Sequence, residues 1–344
     1  MSNLDVFNGD AFSVTSLTKS VDLLGYVPGF LGSIDGLFDP TPVRTKEVWI
    51  EGRSTSAALI QTSPRGSAPK QVGGDNRNAK AFNTVRLADA SRVNADEIQG
   101  IRAFGQEQAV KDLQLEVARR QLKIKRNFDL TKEHMRLGCV QGLVQDADGS
   151  TIYSWFDEFG VVANSVIVFP FAGIAAGTTQ EGAIRKICNQ VTRSTLRALK
   201  GLGGNGVRVH ALCGDEFWDE LTTSPEVRHT YQAQLAIALQ NDVGGAFESF
   251  RYGQIMWHNY RGTDDNSTVA VSSTGVRFFP VGAGIFQVAQ APAERFEFVN
   301  TPGQETYSWI VLDKDRDMWA DVEVYSYPLH VCVLPAALNS GVTG

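Results

Sequence analysis

From residue 106 to 137 the chain has no glycine or proline, and apolar side chains return at helical spacing: Val110, Leu113 and Val117, then Ile124, Phe128 and Met135. Charged residues fill the opposite side. The pattern predicts one long amphipathic helix, roughly 48 Å at 1.5 Å per residue. Beyond Gly138 it is expected to run to about Val144, after which Asp148-Gly149 marks a tight hairpin turn between Leu143-Val144 and Thr151-Ile152-Tyr153. Upstream, 46–52 and 57–62 read as strands around a turn at 52–56, and 81–87 returns as a third. Between them, 63–76 is a polar tip rich in glycine and proline. Such a ribbon buries little by itself, so it makes physical sense if a neighbouring chain covers it.

The first 45 residues contain Gly25, Pro28, Gly29, Gly32, Gly36, Pro40 and Pro42, with apolar residues scattered between them. Apart from a short helix at 11–24, this is expected to be an extended arm that lies on something else. A second unit begins near Asn164. Thr178-x-x-Glu181 is a capping box for a helix reaching Lys200, with Gly201 as its stop. A strand at 207–212, a short helix at 215–221 and a helix capped by Ser224 with Pro225 at its first position follow. From Phe250 onward strands dominate, at 254–259, 269–272, 276–279 and 322–325. The most apolar stretch, 161–176, is interrupted by Asn164, Ser165, Pro170 and Gly173. It is too short and broken for a membrane span and predicts buried strands.

The 344 residues, 43% hydrophobic and 20% charged, describe a globular chain of two or three compact units. With 32 basic against 38 acidic residues and a net charge of −6, the whole surface is not built to grip DNA, though it could line a DNA-filled space. Cys139, Cys188, Cys213 and Cys332 are widely spaced and form no C-x-x-C pair, so they read as reduced core thiols. The start, Met1-Ser2-Asn3-Leu4-Asp5, carries no pattern of a secretory signal.

No G-x-S-x-G, G-x-x-x-x-G-K-[ST] or H-E-x-x-H occurs. The histidines at 134, 210, 229, 258 and 330 are too far apart in sequence to suggest a ligand pair. Gly201-Leu202-Gly203-Gly204-Asn205-Gly206 follows a helix and precedes a strand, the reverse of a dinucleotide fingerprint. Asp146-Ala147-Asp148-Gly149 has its glycine too early for a calcium loop. Asp215, Glu216, Asp219 and Glu220 complement a helix dipole. Asn266-Ser267-Thr268 matches a glycosylation sequon and marks a polar loop. The basic cluster Arg119, Arg120, Lys123, Lys125 and Arg126 is either a solvated face or a lining that meets phosphates. Lys70 and Lys80 flank the tip and are solvated by default, a covalent cross-link to a neighbour being the alternative. No residue is expected to be catalytic, cofactor-binding or metal-binding, and no cofactor is expected.

An arm, a long hairpin, a long helix and a mixed remainder, in that order, resemble the Hong Kong 97-type capsid fold. Particular segments resemble the major capsid proteins of lambda-like phages: Asp5-Val6-Phe7-Asn8, 11–18, Ile50-Glu51, Pro64-Arg65-Gly66, 95–105 and Arg136-Leu137-Gly138. Further on come 146–150, Glu158-Phe159-Gly160, Pro225-Glu226-Val227-Arg228, 277–282, Asn300-Thr301-Pro302-Gly303 and Pro328. They span nearly the whole chain in order. The resemblance implies an α+β subunit with an N-terminal arm (1–45), an extended β-hairpin loop (46–94), a peripheral domain with a spine helix (95–163), an α/β axial domain (164–325) and a C-terminal segment (326–344). It implies a structural virion protein that assembles with itself into pentamers and hexamers of a tailed-phage head, and not an enzyme. Portal and scaffolding proteins, a decoration protein and non-specifically contacted double-stranded DNA are the implied partners, with assembly in the host bacterial cytoplasm and no membrane. An encapsulin-like shell of the same fold is the alternative, distinguished by cargo enzymes in place of DNA. An enzyme of unrecognised type would need a deep pocket with convergent polar groups.

Overall fold

The computed structural model describes residues 29–53, 77–95, 106–171, 182–228, 249–263, 269–316 and 318–344. Outside them fall the expected helix at 11–24, the strand at 57–62, the tip at 63–76 with Lys70, the pair Thr178 and Glu181, and the sequon at 266–268. The side chains of Val110 and Leu113 lie outside as well.

The described chain opens with a short helix, α1 (Phe30–Ser33), that buries Leu31, and with strand β1 (Asp39–Pro42). Strands β2 (Glu47–Arg53) and β3 (Arg77–Asn83) form the antiparallel hairpin, with Trp49 opposite Ala81. The returning strand ends at Asn83 and not at Leu87. The Val85 N–H donates to the Pro328 carbonyl (3.0 Å), and the turned chain starts a new strand, β4 (Leu87–Asn94). Helix α2 (Gln106–Val140) has 35 residues, about 52 Å at the standard rise. It stops at Val140, short of Val144. Gly142 has φ 81°, and a Cβ there would lie 2.4 Å from the Phe156 ring, so only glycine fits the turn. Leu143 and Val144 enter β5 (Leu143–Gln145), paired with β6 (Thr151–Ser154) across the expected turn. A short helix, α3 (Trp155–Glu158), is capped by the Ser154 hydroxyl, which accepts from the Asp157 N–H at 3.4 Å.

In its described part, 161–171, the apolar stretch expected to form buried strands is only partly buried, through Phe169. That part contains only β7 (Ile167–Phe169), and Val162, Val166 and Val168 are 90%, 56% and 56% exposed. After it come α4 (Ala183–Leu199), β8 (Arg208–Cys213), α5 (Asp215–Thr223), β9 (Ser249–Tyr252) and β10 (Ile255–Asn259). The run 269–272 is irregular and not a strand; it leads into β11 (Gly275–Val281). Strands β12 (Phe286–Gln290), β13 (Tyr307–Leu312), β14 (Trp319–Ser326), β15 (Pro328–Cys332) and β16 (Asn339–Thr343) complete the chain.

The architecture is α+β. A six-stranded mixed sheet runs β7-β16-β11-β8-β10-β9, and three-stranded sheets run β13-β14-β4 and β1-β12-β15. The six-stranded sheet packs against α4 and α5 through Ile184, Cys188, Val191, Phe217 and Leu221. Helix α2 lays Val117, Ile124 and Phe128 on β4 and β14, against Val93, Ala320, Val322 and Val324. Its last turn enters a separate core with Leu137, Cys139 and Val140. The spine of the molecule therefore joins the small sheet at one end to the central core at the other.

Two helix starts differ from the sequence expectation. Helix α4 opens on Gly182 without a side-chain cap. Its first free N–H groups, at Ile184 and Arg185, instead donate to the Glu226 carboxylate (3.2 and 3.0 Å), which also accepts from the Tyr252 hydroxyl (2.7 Å). A cap supplied from forty residues downstream has no local sequence signal. Residues 225–228 are helical as expected, but the Ser224 hydroxyl is buried without a hydrogen-bond partner and makes no cap.

Candidate assembly surfaces

The hairpin is fastened at its root and presents its outer face. Phe82 is buried among Tyr153, Trp155 and Phe159, with ring centroids 5.6, 5.2 and 6.4 Å away. Val48 and Ile50 pack partly onto the central core, while Trp49 between them is 65% exposed. This is the alternation of a strand with one covered face. Lys80 is not simply solvated. Its ammonium donates to the Glu158 carbonyl and lies 3.6 Å from the Glu158 carboxylate, tying β3 to α3. Exposed as both groups are, that ion pair adds little stability; its role is orientation.

A second feature is the root of the leading segment. The Glu133 carboxylate on α2 accepts the Leu31 N–H (2.8 Å) and the Tyr260 hydroxyl (3.4 Å), with Arg136 at 3.6 Å. A Cβ on Gly29 would meet Glu133 Oε2 at 2.6 Å, and one on Gly32 would meet Arg136 Nη1 at 2.4 Å. The two glycines let the backbone lie directly on the spine helix, which explains their place in an otherwise irregular segment. Burial raises the Glu133 pKa, against the lowering effect of these hydrogen bonds and of Arg136. The folded chain therefore takes up this proton at a higher pH than the unfolded chain does. The stability it contributes is present below the ordinary carboxyl value and is lost as pH rises through the raised one. Glu133→Gln is expected to gain on the wild type as pH rises from 4 to 8, read from urea midpoints of the dissociated subunit. A gain in the opposite direction would mean that the buried carboxylate is fully compensated by its partners.

The basic cluster on α2 is divided by the fold. Arg119, Lys123 and Arg126 are exposed, whereas the Arg120 guanidinium donates to the Ser91 hydroxyl (3.3 Å) and to the Arg92 carbonyl on β4. Asn127 reaches Asp89 at 2.9 Å on the same strand. Part of the cluster is thus a clasp between helix and sheet. Nearby, Lys132 is buried and meets Glu305 at 2.7 Å, which holds the Glu305 carboxyl below its ordinary value.

Two histidines far apart in sequence meet in space. His210 on β8 and His258 on β10 lie on neighbouring parallel strands, with Nδ1 of one 2.9 Å from Nε2 of the other and the rings stacked. Sequence spacing could not reveal this pair. Burial pushes both down to about 4, helped by Arg208 for His210 and by His210 for His258. Among the described residues no three His, Cys, Asp or Glu side chains group as a metal site, and two imidazoles fall short of a zinc shell. A pocket of about 300 Å³ beside them is lined by Phe30, Glu133, His258 and Tyr260 among others.

The remaining candidates take their plain roles. Asp146 and Ser150 close the β5–β6 turn, with Gly149 at φ 84°. Asp215 and Glu216 sit in the first turn of α5, and Gly201 to Gly206 link α4 to β8. All four cysteines are buried and free. No described helix is long and apolar enough to cross a membrane.

An anchored hairpin, a long spine helix and a separate mixed sheet make up the fold of a viral shell subunit. It matches the solved structure described as the asymmetric unit of the bacteriophage PhiM1 mature capsid, with a TM-score of 0.51 and 8% identity, over 93% of this chain and 88% of that one. The fold is the Hong Kong 97-type. A family model described as phage major capsid protein E matches residues 13–343, and the chain belongs to that family. Two curated relatives, each named major capsid protein, are similar along most of their length. That of Salmonella phage Felix O1 is 23% identical over 95% of both chains, and that of Pseudomonas phage KPP10 is 26% identical over 88% of this chain and 89% of its own. The protein is a structural virion component and not an enzyme, and the family supports this reading over the encapsulin-like one.

Proposed function

We propose that copies of this chain close into the pentamers and hexamers of an icosahedral or prolate tailed-phage head around double-stranded DNA. In this reading 1–45 is the arm, 46–94 the extended loop, whose last strand β4 returns into the sheet under α2, 95–163 the peripheral domain, 164–325 mainly the axial domain and 326–344 the C-terminal segment. Portal and scaffolding proteins meet the shell during assembly in the host cytoplasm, a decoration protein adds to its outside, and DNA touches its inside without sequence preference. No residue serves catalysis, a cofactor or a metal. The observation that carries the reading is the hairpin: rooted by Phe82 in an aromatic cluster, it leaves Trp49 exposed on a face that no described residue covers.

Replacing 54–76 by a two-residue Asn-Gly turn keeps the register of Glu47 with Asn83. The variant is expected to stay folded by circular dichroism but to give no stable shells in electron micrographs, while the wild type gives uniform ones. Normal shells from the shortened chain would remove the loop assignment.

A further inference from the structure

The most apolar stretch of the sequence is, in its described part, an exposed sheet edge. Among the described strands, β7 ends the six-stranded sheet and pairs in parallel with β16. The Phe169 carbonyl accepts from the Gly344 N–H (2.9 Å). Backbone groups alternate along a strand, so Ile167 and Phe169 face β16, while Val166 and Val168 turn their N–H and C=O groups outward. Among the described residues no strand pairs with that side. The segment leading into it is held in place: the Asn164 amide donates to the Ala336 and Leu338 carbonyls (3.0 and 2.7 Å). Val162, Val166 and Val168 are thus presented to solvent by a tethered backbone.

Another edge in the same molecule is built the opposite way. Just past β1 the Val43 N–H reaches inward and donates to the Gln290 carbonyl (2.8 Å). By the same alternation Pro40 and Pro42 occupy the outward positions, so this edge lacks N–H donors and refuses a further strand. One edge is closed by proline; the other is apolar and, among the described residues, unpaired.

We infer that the β7 edge, with Val162, Val166 and Val168, is an interface on which a second copy of this chain docks an extended segment by strand addition. The occupant follows from the family: a major capsid protein abuts copies of itself, and an exposed apolar edge free of charge and proline would otherwise promote uncontrolled aggregation. The inference rests on the assembly reading, and adds which surface is used and by what bonding.

Two measurements on the full-length chain test it. The triple variant Val162→Asp, Val166→Asp, Val168→Asp is expected to keep the wild-type circular dichroism and thermal midpoint but to lower shell yield at least about tenfold, since buried unpaired charge opposes docking. Amide exchange of wild-type Val166 and Val168 is expected to slow by about a hundredfold or more in shells relative to dissociated subunits, as outward N–H groups gain partners. The exchange result stands even if the triple variant fails to fold. Wild-type yield from a folded variant, or equal exchange in shells and subunits, would overturn the edge while leaving the capsid assignment intact. A wild type that forms no shells would overturn the assembly reading and this inference together.

Discussion

Ile124→Asp is expected to unfold the subunit. Ile124 is buried on the inner face of α2, between Val117 and Phe128 and against the β4–β14 surface of Val93, Val322 and Val324. The substitution removes the packing of a large aliphatic side chain, about 2–5 kcal/mol for such truncations. It also places an unpaired carboxylate where no water reaches, which costs several kcal/mol more or forces the group to protonate. Whole domains are stable by only about 5–15 kcal/mol. The loss should therefore appear as insoluble expression or a missing unfolding transition. Lys123→Asp, one position along the same helix but on its exposed face, should stay within about 0.5 kcal/mol of wild type. Equal tolerance of both would mean that α2 does not pack on the small sheet as described.

The second large effect is acid sensitivity. Burial pushes His210 and His258 down to about 4 and His330 down to about 3, His330 being further lowered by Arg136 and Lys132. All three are neutral in the fold. In the unfolded chain they take up protons near pH 6.5. Folded values that are depressed mean stability present above pH 6.5 and lost as pH falls toward 4, by about 1.4 kcal/mol per pH unit for each histidine. The His210–His258 pair shares its titration, so its loss belongs to the pair and not to either ring. Glu133, whose pKa is raised by burial, acts in the opposite sense and offsets part of the loss. Urea midpoints of dissociated subunits should fall steeply between pH 6.5 and 4, and more gently for His258→Gln with His330→Leu. Parallel curves would show that these rings are solvated.

Much of the fold was legible because its signals are local. Helix α2 declared itself through a run without glycine or proline and through the face of Ile124, Phe128 and Met135. The β5–β6 turn was written in Asp148-Gly149, and the first hairpin strand in the run from Glu47, which continues through Gly52 and Arg53 where a turn was expected. Element ends shifted by a few residues, as where Gly142 stops α2 at Val140, while the larger departures were non-local. Val162, Val166 and Val168 read as core because composition cannot tell a surface kept for another molecule from one buried in the same chain. The pairing of β4 with β14 joins Leu87 to Ser326, and no pattern within either strand names its partner. The Glu226 cap on α4 and the His210–His258 contact exist only because distant segments share one sheet and its covering helices.

By itself, then, the chain's order of apolar and polar residues determined most of the described helices and strands, above all α2 and the β5–β6 turn, and which family the protein resembles. Tertiary structure alone decided which strands are neighbours, where Glu133 clasps the arm's root, which histidines are neutralised and which apolar edge stays open. The physical reason is range. Periodicity and turn chemistry are set by residues a few positions apart, while pairing, desolvation and exposure depend on groups brought together only when the whole chain has closed.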